Sequence, residues 1–316
     1  MELLWWLFGI SSGLFLLILA VAFFCFYRIF YFSPAMRRRT PPDALLKADT
    51  FAPYREQMAD WKKKAAELPH RDVSITSFDG LTLRGKYYEY APGAPVELLV
   101  HGYKGSGERD MSGGIFRCFA LGRSALVIDH RAAGESDGSV ITFGVNESRD
   151  CALWVDYLVR ELGEDVKIIL TGISMGAATV MIMSSLELPK NVVGVLADCG
   201  YTSAKDIIKK IMRERHYPAD LLYPFARLGA KLFGRFDPDE RSPIAAMKDS
   251  KLPILFIHGD SDDFVPVEMS IDNHKACTSE KSLVIIPGAG HALCYPTDSE
   301  TYRNALKEFF TPLLEQ

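Results

Sequence analysis

From residue 72 onward, short β-rich runs alternate with longer helical stretches, and this alternation limits the possible folds of the 316-residue chain more than any other feature. Several runs are continuously apolar, as expected for strands buried on both faces of a parallel sheet. Asp79-Gly80, a strong turn signal, joins the first two runs as a hairpin. The pattern predicts an α/β protein with an eight-stranded, mostly parallel sheet and helices on both faces. The predicted strands are residues 73–78, 81–90, 96–101, 125–129, 167–171, 192–198, 252–258 and 283–286.

Helical stretches are predicted after several of these strands, at residues 147–162, 175–186, 267–278 and 301–314. A long insertion, at about residues 201–250, separates the sixth strand from the seventh and contains helical stretches at 204–215 and 219–233. An apolar helical insertion at the carboxyl edge of a sheet is where a lid would lie. Ordinary packing helices account for the same pattern, so both interpretations stay open.

Residues 3–27 contain no charged side chain and are mostly large and apolar. A stretch of ~20 such residues crosses the hydrocarbon core of a membrane as a helix. A cleaved signal peptide fits less well, because Glu2 replaces the expected basic start, the run is too long and no A-x-A site follows it. The sequence therefore predicts a retained single-pass anchor. Aromatic side chains, which favour the headgroup layer, lie near both ends: Trp5, Trp6, Tyr27 and Tyr31.

The flanking charges predict the orientation of this anchor. Only Glu2 and the terminal amine precede it, whereas four arginines follow it at positions 28, 37, 38 and 39. By the positive-inside tendency, the body of the protein lies on the cytoplasmic side. The six scattered cysteines fit a reducing compartment, and they suggest neither a disulfide framework nor a zinc site. A net charge of -4 offers no basic surplus for binding nucleic acid.

Residues 33–70 form a predicted linker, with Pro34, Pro41 and Pro42 near its start. Its helical part carries a stripe of six side chains spaced three or four residues apart: Phe51, Tyr54, Met58, Trp61, Ala65 and Leu68. The basic run 62–64 either contacts anionic lipid or is solvated while the stripe packs on the following domain. The chain is thus divided into an anchor (1–32), a linker with an amphipathic helix (33–70) and an α/β domain (71–316).

The sharpest chemical signal is Gly172-Ile173-Ser174-Met175-Gly176, which follows a predicted strand directly and opens a small-residue helix. A G-x-S-x-G run is weak by itself, but the strand–turn–helix setting is the one that a serine nucleophile needs. The glycines allow the sharp turn on which the serine would sit. Ser174 is therefore the predicted nucleophile.

A serine nucleophile needs a base, and His291 is the best placed of seven histidines, in a glycine-rich loop after the last strand. The base in turn needs a carboxylate that holds its tautomer. Asp260, Asp262 and Asp263 share the loop after the seventh strand, and the residue pattern does not choose among them. The oxyanion is predicted to be held by two backbone N–H groups, those of Tyr103 and Met175.

Five segments together resemble, in the same order, the motifs of the α/β-hydrolase superfamily: 101–102, 129–136, 172–176, 258–266 and 288–291. The likeness covers roughly residues 70–314 and is nearest to the serine aminopeptidase S33-like and membrane-anchored bacterial esterase-like branch. In that family the acid of H-G-x-x-D-x-x-V-P is the fifth residue, which selects Asp262 here. Ala132 replaces the first glycine of the common R-G-x-G-x-S loop, a structural loop in the family, so the triad is unaffected.

The resemblance implies a serine hydrolase that works through an acyl-enzyme and needs no metal or organic cofactor. The apolar insertion and the anchor favour a small-molecule or lipid-like acyl ester, with thioesters or amides as further substrates. An aminopeptidase-like peptidase, an acyltransferase and a non-catalytic membrane scaffold are the alternatives. The scaffold predicts a broken triad, whereas Ser174, Asp262 and His291 are all present.

Overall fold

The computed structural model describes residues 1–39 and 49–315, so Pro41 and Pro42 of the predicted linker lie outside the described residues. An eight-stranded sheet with the order β1-β2-β4-β3-β5-β6-β7-β8 forms its centre. The β1–β2 and β2–β4 pairs are antiparallel and all other pairs are parallel. The predicted eight-stranded, mostly parallel α/β sheet is confirmed. The strands are β1 (Arg71–Thr76), β2 (Thr82–Tyr88), β3 (Val96–Val100), β4 (Ser124–Ile128), β5 (Ile168–Ile173), β6 (Val192–Asp198), β7 (Ile254–Gly259) and β8 (Lys281–Ile286).

Helices cover both faces of this sheet and also precede it in the chain. They are α1 (Glu2–Ile29), α2 (Pro34–Arg39), α3 (Arg55–Glu67), α4 (Gly107–Ala120), α5 (Val145–Leu162), α6 (Met175–Met183), α7 (Ala204–Glu214), α8 (Ala219–Gly229), α9 (Pro243–Ala246), α10 (Val267–Ala276), α11 (Cys294–Thr297) and α12 (Ser299–Leu314). A 3-10 helix (Asp49–Tyr54) leads into α3, and a π-helical turn (Ala230–Gly234) continues α8.

Neighbouring residues of the central strands face opposite helical layers, because side chains alternate along a strand. Leu98 of β3 packs in the same cluster as Trp154 of α5, whereas the next residue, Leu99, packs with Ile115 of α4. Continuously apolar strands are therefore required, since neither face of the central sheet meets water.

Helix α4 had no counterpart in the sequence-based prediction. Glycines at 107, 113 and 114 weaken its helical signal, because each lowers intrinsic helix propensity. Packing explains one of them: a Cβ on Gly113 would lie 2.6 Å from the Trp61 ring of α3. The close packing of α3 on α4 thus outweighs the propensity of the α4 sequence, and Ser106 caps the helix by accepting the N–H of Arg109 at 3.3 Å.

The predicted stripe on α3 and the preceding 3-10 helix faces the α/β domain. Phe51 and Ala65 are buried, and the other four members are half-buried. Trp61 stacks on Tyr295 with ring centroids 5.4 Å apart. The packing interpretation of the stripe is confirmed.

Helix α1 is the one helix, within residues 1–39 and 49–315, that is long and apolar enough to cross a membrane, over Leu4–Ile29. The carboxyl-terminal third of α1 also packs against the rest of the protein. Ala22, Cys25 and Phe26 are buried, as are Phe30 and Phe32 just beyond the helix. Most of these residues share one apolar cluster with Met175, next to the predicted nucleophile. The division of the chain at residues 32 and 70 stays a prediction, and this packing joins the parts on either side of residue 32.

The helices of the insertion pack against α1. A Cβ on Gly229 of α8 would lie 2.2 Å from the carbonyl oxygen of Ala22, so only glycine permits this approach. Phe233 in the π-helical turn contacts Phe23 and Phe26, with ring centroids 5.1 and 5.8 Å apart. The predicted helical insertion is therefore present and supports α1, whereas its role as a lid stays a prediction.

Candidate active site

Ser174 lies in the sharp turn between β5 and α6, with a φ of 56° and a ψ of −117°. This conformation is strained for a residue with a side chain. The flanking glycines are required by contact: a Cβ on Gly172 would lie 2.2 Å from the backbone of Gly176, and one on Gly176 would lie 2.0 Å from the carbonyl oxygen of Val100. The turn therefore presents the hydroxyl at the carboxyl edge of the sheet, as predicted for a nucleophile.

The structure brings the three predicted side chains into one hydrogen-bonded line. The Ser174 hydroxyl lies 2.9 Å from Nε2 of His291, and Nδ1 of His291 lies 2.7 Å from Oδ2 of Asp262. Because a carboxylate only accepts, Nδ1 carries the proton and Nε2 is left to accept from the serine. This tautomer is the one that lets a histidine remove a serine proton.

Of the three aspartates in the loop after β7, only Asp262 is hydrogen-bonded to His291. Its other oxygen accepts the N–H groups of Phe264 and Val265 at 2.9 and 2.8 Å. Asp260 instead accepts the N–H of Gly288 at 2.7 Å and so braces the loop that carries His291. The geometry thus agrees with the residue that the resemblance selects.

A second histidine, His258, contacts the same carboxylate. Its Nε2 lies 3.1 Å from Oδ2 of Asp262 and 2.8 Å from the carbonyl oxygen of Val265. Both partners accept, so Nε2 carries the proton and Nδ1 accepts the hydroxyl of Ser270 at 2.6 Å. Burial by itself would raise the pKa of Asp262, but hydrogen bonds from His258 and His291 lower it well below its usual range.

The two predicted oxyanion donors lie at the ends of adjacent strands β3 and β5. A Cβ on Gly102 would lie 3.5 Å from the Cβ of Ser174, so the β3 loop passes close to the nucleophile. The N–H of Gly102 donates to Asp110 at 3.3 Å, whereas that of Tyr103 has no acceptor within the described part of the chain. Met175 begins α6, so its N–H lies at the positive end of a helix. The oxyanion role of Tyr103 and Met175 stays a prediction.

The side chain of Tyr103 links this loop to α1. Its hydroxyl donates to the carbonyl oxygen of Ile29 at 2.6 Å, and burial raises the pKa of the phenol. No sequence motif indicated this contact, which joins the end of the predicted anchor to the predicted oxyanion loop.

A cavity of about 330 Å³ opens over Ser174 and His291. Its apolar walls include Phe51 and Met58 from the segment before β1, and Phe264 from the loop after β7. Across residues 1–39 and 49–315, the lining includes no residue of the insertion at 201–250. The wall residues Phe51 and Met58 were not predicted as site residues, although their positions on the apolar stripe were the signal that could have found them.

Cys199, Asp262 and His291 place one potential metal-ligand atom each within 4.8 Å of one another. Two of the three already hydrogen-bond to each other. Burial, followed by the charges of Asp198 and Asp262, raises the pKa of the Cys199 thiol, which disfavours the thiolate that binds metals. The donor set therefore suits a proton-transfer site better than a metal centre.

Known proteins resemble this chain in both sequence and fold. A family model of the alpha/beta hydrolase fold matches residues 95–226. The uncharacterised protein YqkD of Bacillus subtilis is 30% identical over 190 residues, which are 60% of this chain and 62% of YqkD. The uncharacterised protein Rv2307c of Mycobacterium tuberculosis is 26% identical over 76% of this chain and 79% of its own length.

Among solved structures, the Pyrococcus furiosus esterase Pf2001 superposes with a TM-score of 0.65 and 23% identity, over 79% of this chain and 93% of the esterase. At this identity the likeness bears on the fold alone. The strand order, the strained serine turn between β5 and α6, and the matching family model agree with one another. The chain therefore has the α/β-hydrolase fold.

Proposed function

We propose that the protein is a serine hydrolase that cleaves esters of hydrophobic acyl groups. One observation carries the proposal: the line from Ser174 through His291 to Asp262, with gaps of 2.9 and 2.7 Å. A scaffold that had lost catalysis would be under no requirement to keep a strained serine turn aimed at a correctly oriented imidazole.

In the proposed reaction, His291 Nε2 accepts the Ser174 proton while the serine oxygen attacks the acyl carbonyl. The N–H groups of Tyr103 and Met175 hold the negative charge that develops on the carbonyl oxygen, and each donor of this kind contributes about 3–4 kcal/mol to transition-state stability. His291 then passes the proton to the leaving alcohol. Water, deprotonated by the same nitrogen, releases the acid from Ser174.

The cavity supports an apolar acyl group as the substrate. Its wall is partly aromatic and aliphatic, from the side chains of Phe51, Met58, Ile173 and Phe264. Among the described residues, Arg109 is the one arginine or lysine that lines this cavity. It is paired with Asp110 at 2.6 Å, so it offers little free positive charge to an acidic substrate. That a solved neighbour, Pf2001, is named an esterase agrees with the proposal.

An aminopeptidase-like activity is the second candidate, on one observation. Asp263 lines the same cavity and its carboxylate is exposed, so it could receive the amino group of a peptide. Aminoacyl nitroanilides would test this candidate, since their turnover should depend on Asp263 whereas ester turnover should not.

We also propose that α1 anchors the protein as a single span, with the catalytic domain on the cytoplasmic side. Its apolar length and the arginines that follow it support this arrangement. Under this proposal the substrate enters from the cytoplasm or from the adjacent leaflet.

Hydrolysis of nitrophenyl esters, from acetate to palmitate, tests the proposal. The assay uses the full chain in detergent micelles, because Phe26 and Phe30 belong to the protein core and a fragment without them would lack part of it. Turnover and fluorophosphonate labelling should both vanish in Ser174→Ala. They should persist in Ser185→Ala, a control serine at the end of α6 whose hydroxyl donates to Ile182. No turnover at any chain length, with no labelling of Ser174, would contradict the proposal.

A further inference from the structure

Four apolar side chains of the insertion form a stripe along one side of a helix; the two at its ends are exposed, and Phe225 between them also contacts the core. Leu221, Phe225, Leu228 and Leu232 are spaced four, three and four residues apart along α8 and its π-helical continuation. Leu221 is 63% exposed and Leu232 is 51% exposed, and the two between them are half-buried. The adjacent face of the same segment packs against α1 through Gly229 and Phe233. A soluble face would carry polar residues at such positions, so the stripe needs an apolar partner.

The position of the stripe along α1 indicates what that partner is. Gly229 and Phe233 contact α1 between Ala22 and Phe26. If the span begins at Leu4, a hydrocarbon core of about 30 Å is crossed by about 20 residues and ends near Phe23. The end of the stripe that carries Leu228 and Leu232 therefore lies level with the boundary between hydrocarbon and headgroups on the side of the catalytic domain.

Three arginines without an ion-pair partner in the described structure lie near this boundary in the chain. Arg215 precedes α8, Arg235 follows the π-helical turn, and Arg28 lies in the last turn of α1. Among the described residues, none of the three has a carboxylate within ion-pair distance. Burial, followed by the charges of Arg28 and Arg215, lowers the pKa of Lys104, whose ammonium lies 5.0 Å from the Tyr103 ring. Cations gathered beside an apolar stripe are typical of a surface that meets anionic headgroups.

We propose that α8 and its π-helical continuation form a second membrane contact, with Leu221 and Leu232 immersed at the boundary of the bilayer that α1 spans. The inference rests on the proposed anchoring role of α1. It adds that the catalytic domain is held against the membrane surface rather than tethered at a distance. Tyr103, whose hydroxyl binds Ile29 and which lines the cavity, then lies close to the headgroup layer. An acyl substrate dissolved in the leaflet would reach Ser174 without crossing bulk water.

Quenching by brominated lipid tests the contact in the full chain, reconstituted in vesicles of phosphatidylcholine and phosphatidylglycerol. All six native cysteines are buried, so a fluorophore can be directed to one introduced cysteine at a time. Labels at Leu221→Cys and Leu232→Cys should be quenched by lipid brominated in the acyl chain. Leu16→Cys, in the exposed part of α1, is the positive control, and Glu187→Cys, which precedes β6 at the opposite edge of the sheet, is the negative control.

The outcomes separate the two proposals. Quenching at position 16 alone would overturn the second contact and leave the anchor standing, whereas no quenching at position 16 would overturn both.

A functional measurement adds an independent readout. Leu221→Glu with Leu232→Glu should lower hydrolysis of a vesicle-borne ester about tenfold, because charge opposes interfacial burial, and leave hydrolysis of soluble nitrophenyl acetate unchanged. Equal loss on both substrates would contradict the inference.

Discussion

The sheet domain and the first 70 residues of the chain both reach the cavity, but they contribute different things to it. The sheet domain supplies Ser174, Asp262 and His291 from loops at the carboxyl ends of β5, β7 and β8. The earlier residues supply Phe51 and Met58 as walls, and Ile29 as a partner of Tyr103. The chemistry of the proposed site therefore depends on short local motifs, whereas its enclosure depends on a segment that is distant in sequence. Substitutions in the sheet domain should therefore lower kcat, whereas substitutions in the first 70 residues should change substrate selectivity or stability.

Ser174→Ala should have the largest effect. Loss of a serine nucleophile lowers kcat by about 10⁶-fold in a triad hydrolase, because the acyl-enzyme can no longer form. Steady-state hydrolysis by the full chain measures this loss. If the variant kept a rate within tenfold of that of the native protein, Ser174 would not be the nucleophile.

Asp262→Asn should lower kcat about 10⁴-fold, because an amide no longer fixes the tautomer of His291. Asp260→Asn is the matched control: its side chain braces the loop at Gly288 without contacting His291. We expect a much smaller loss of kcat in this control. Equal losses would mean that loop geometry, and not the tautomer, accounts for the Asp262 effect.

The same carboxylate should make stability depend on pH. The pKa of Asp262 is lower in the folded state than in the unfolded chain, so the folded state binds fewer protons. Its contribution is complete above the unfolded carboxyl pKa of about 3.9 and is lost as the pH falls through the lower folded value. Urea unfolding at pH 7 and pH 3 measures this dependence. Between these pH values the free energy of unfolding should fall less in Asp262→Asn than in the native protein. An equal fall in both proteins would contradict the role of Asp262.

Phe51→Ala should change selectivity more than chemistry. Removal of a buried aromatic wall enlarges the cavity, so the preferred nitrophenyl ester should become longer, with about a tenfold change in the ratio of kcat/KM for long and short chains. Phe264→Ala is the matched variant for comparison, because Phe264 lines the same cavity from the loop after β7. If Phe51→Ala lowered kcat as much as Asp262→Asn, the distinction between chemistry and enclosure would fail.

Tyr103→Phe should have the smallest effect. It removes the hydroxyl that donates to Ile29 and leaves the backbone N–H in place. The free energy of unfolding should fall by about 1 kcal/mol, as for a typical hydrogen bond, with kcat nearly unchanged. Denaturant unfolding in micelles measures the first quantity. A large fall in kcat would show that the contact with α1 positions the oxyanion loop.

Prediction from sequence succeeded where a local pattern carried the structure. The eight strands follow from apolar runs between turns, and the strained turn at Ser174 follows from two glycines that no other residue can replace. It did not find α4, in which the packing of Trp61 requires a glycine at position 113. The choice among Asp260, Asp262 and Asp263 needed the family resemblance, because backbone N–H groups of the folded loop distinguish them. The position of Phe51 above Ser174 depends on long-range packing that no spacing along the chain reports.

The close approach of Gly229 to Ala22 has a consequence for biosynthesis. Ala22 leaves the ribosome about 200 residues before its partner, a delay of about 10–40 s at 5–20 residues per second. During that interval the buried side of α1, with Phe26 and Phe30, has no protein surface to cover it. Early entry of α1 into the bilayer would cover the part of that side up to about Phe23 until residues 201–250 are synthesised. The membrane would then act as a temporary folding partner for a helix whose final third belongs to the protein core.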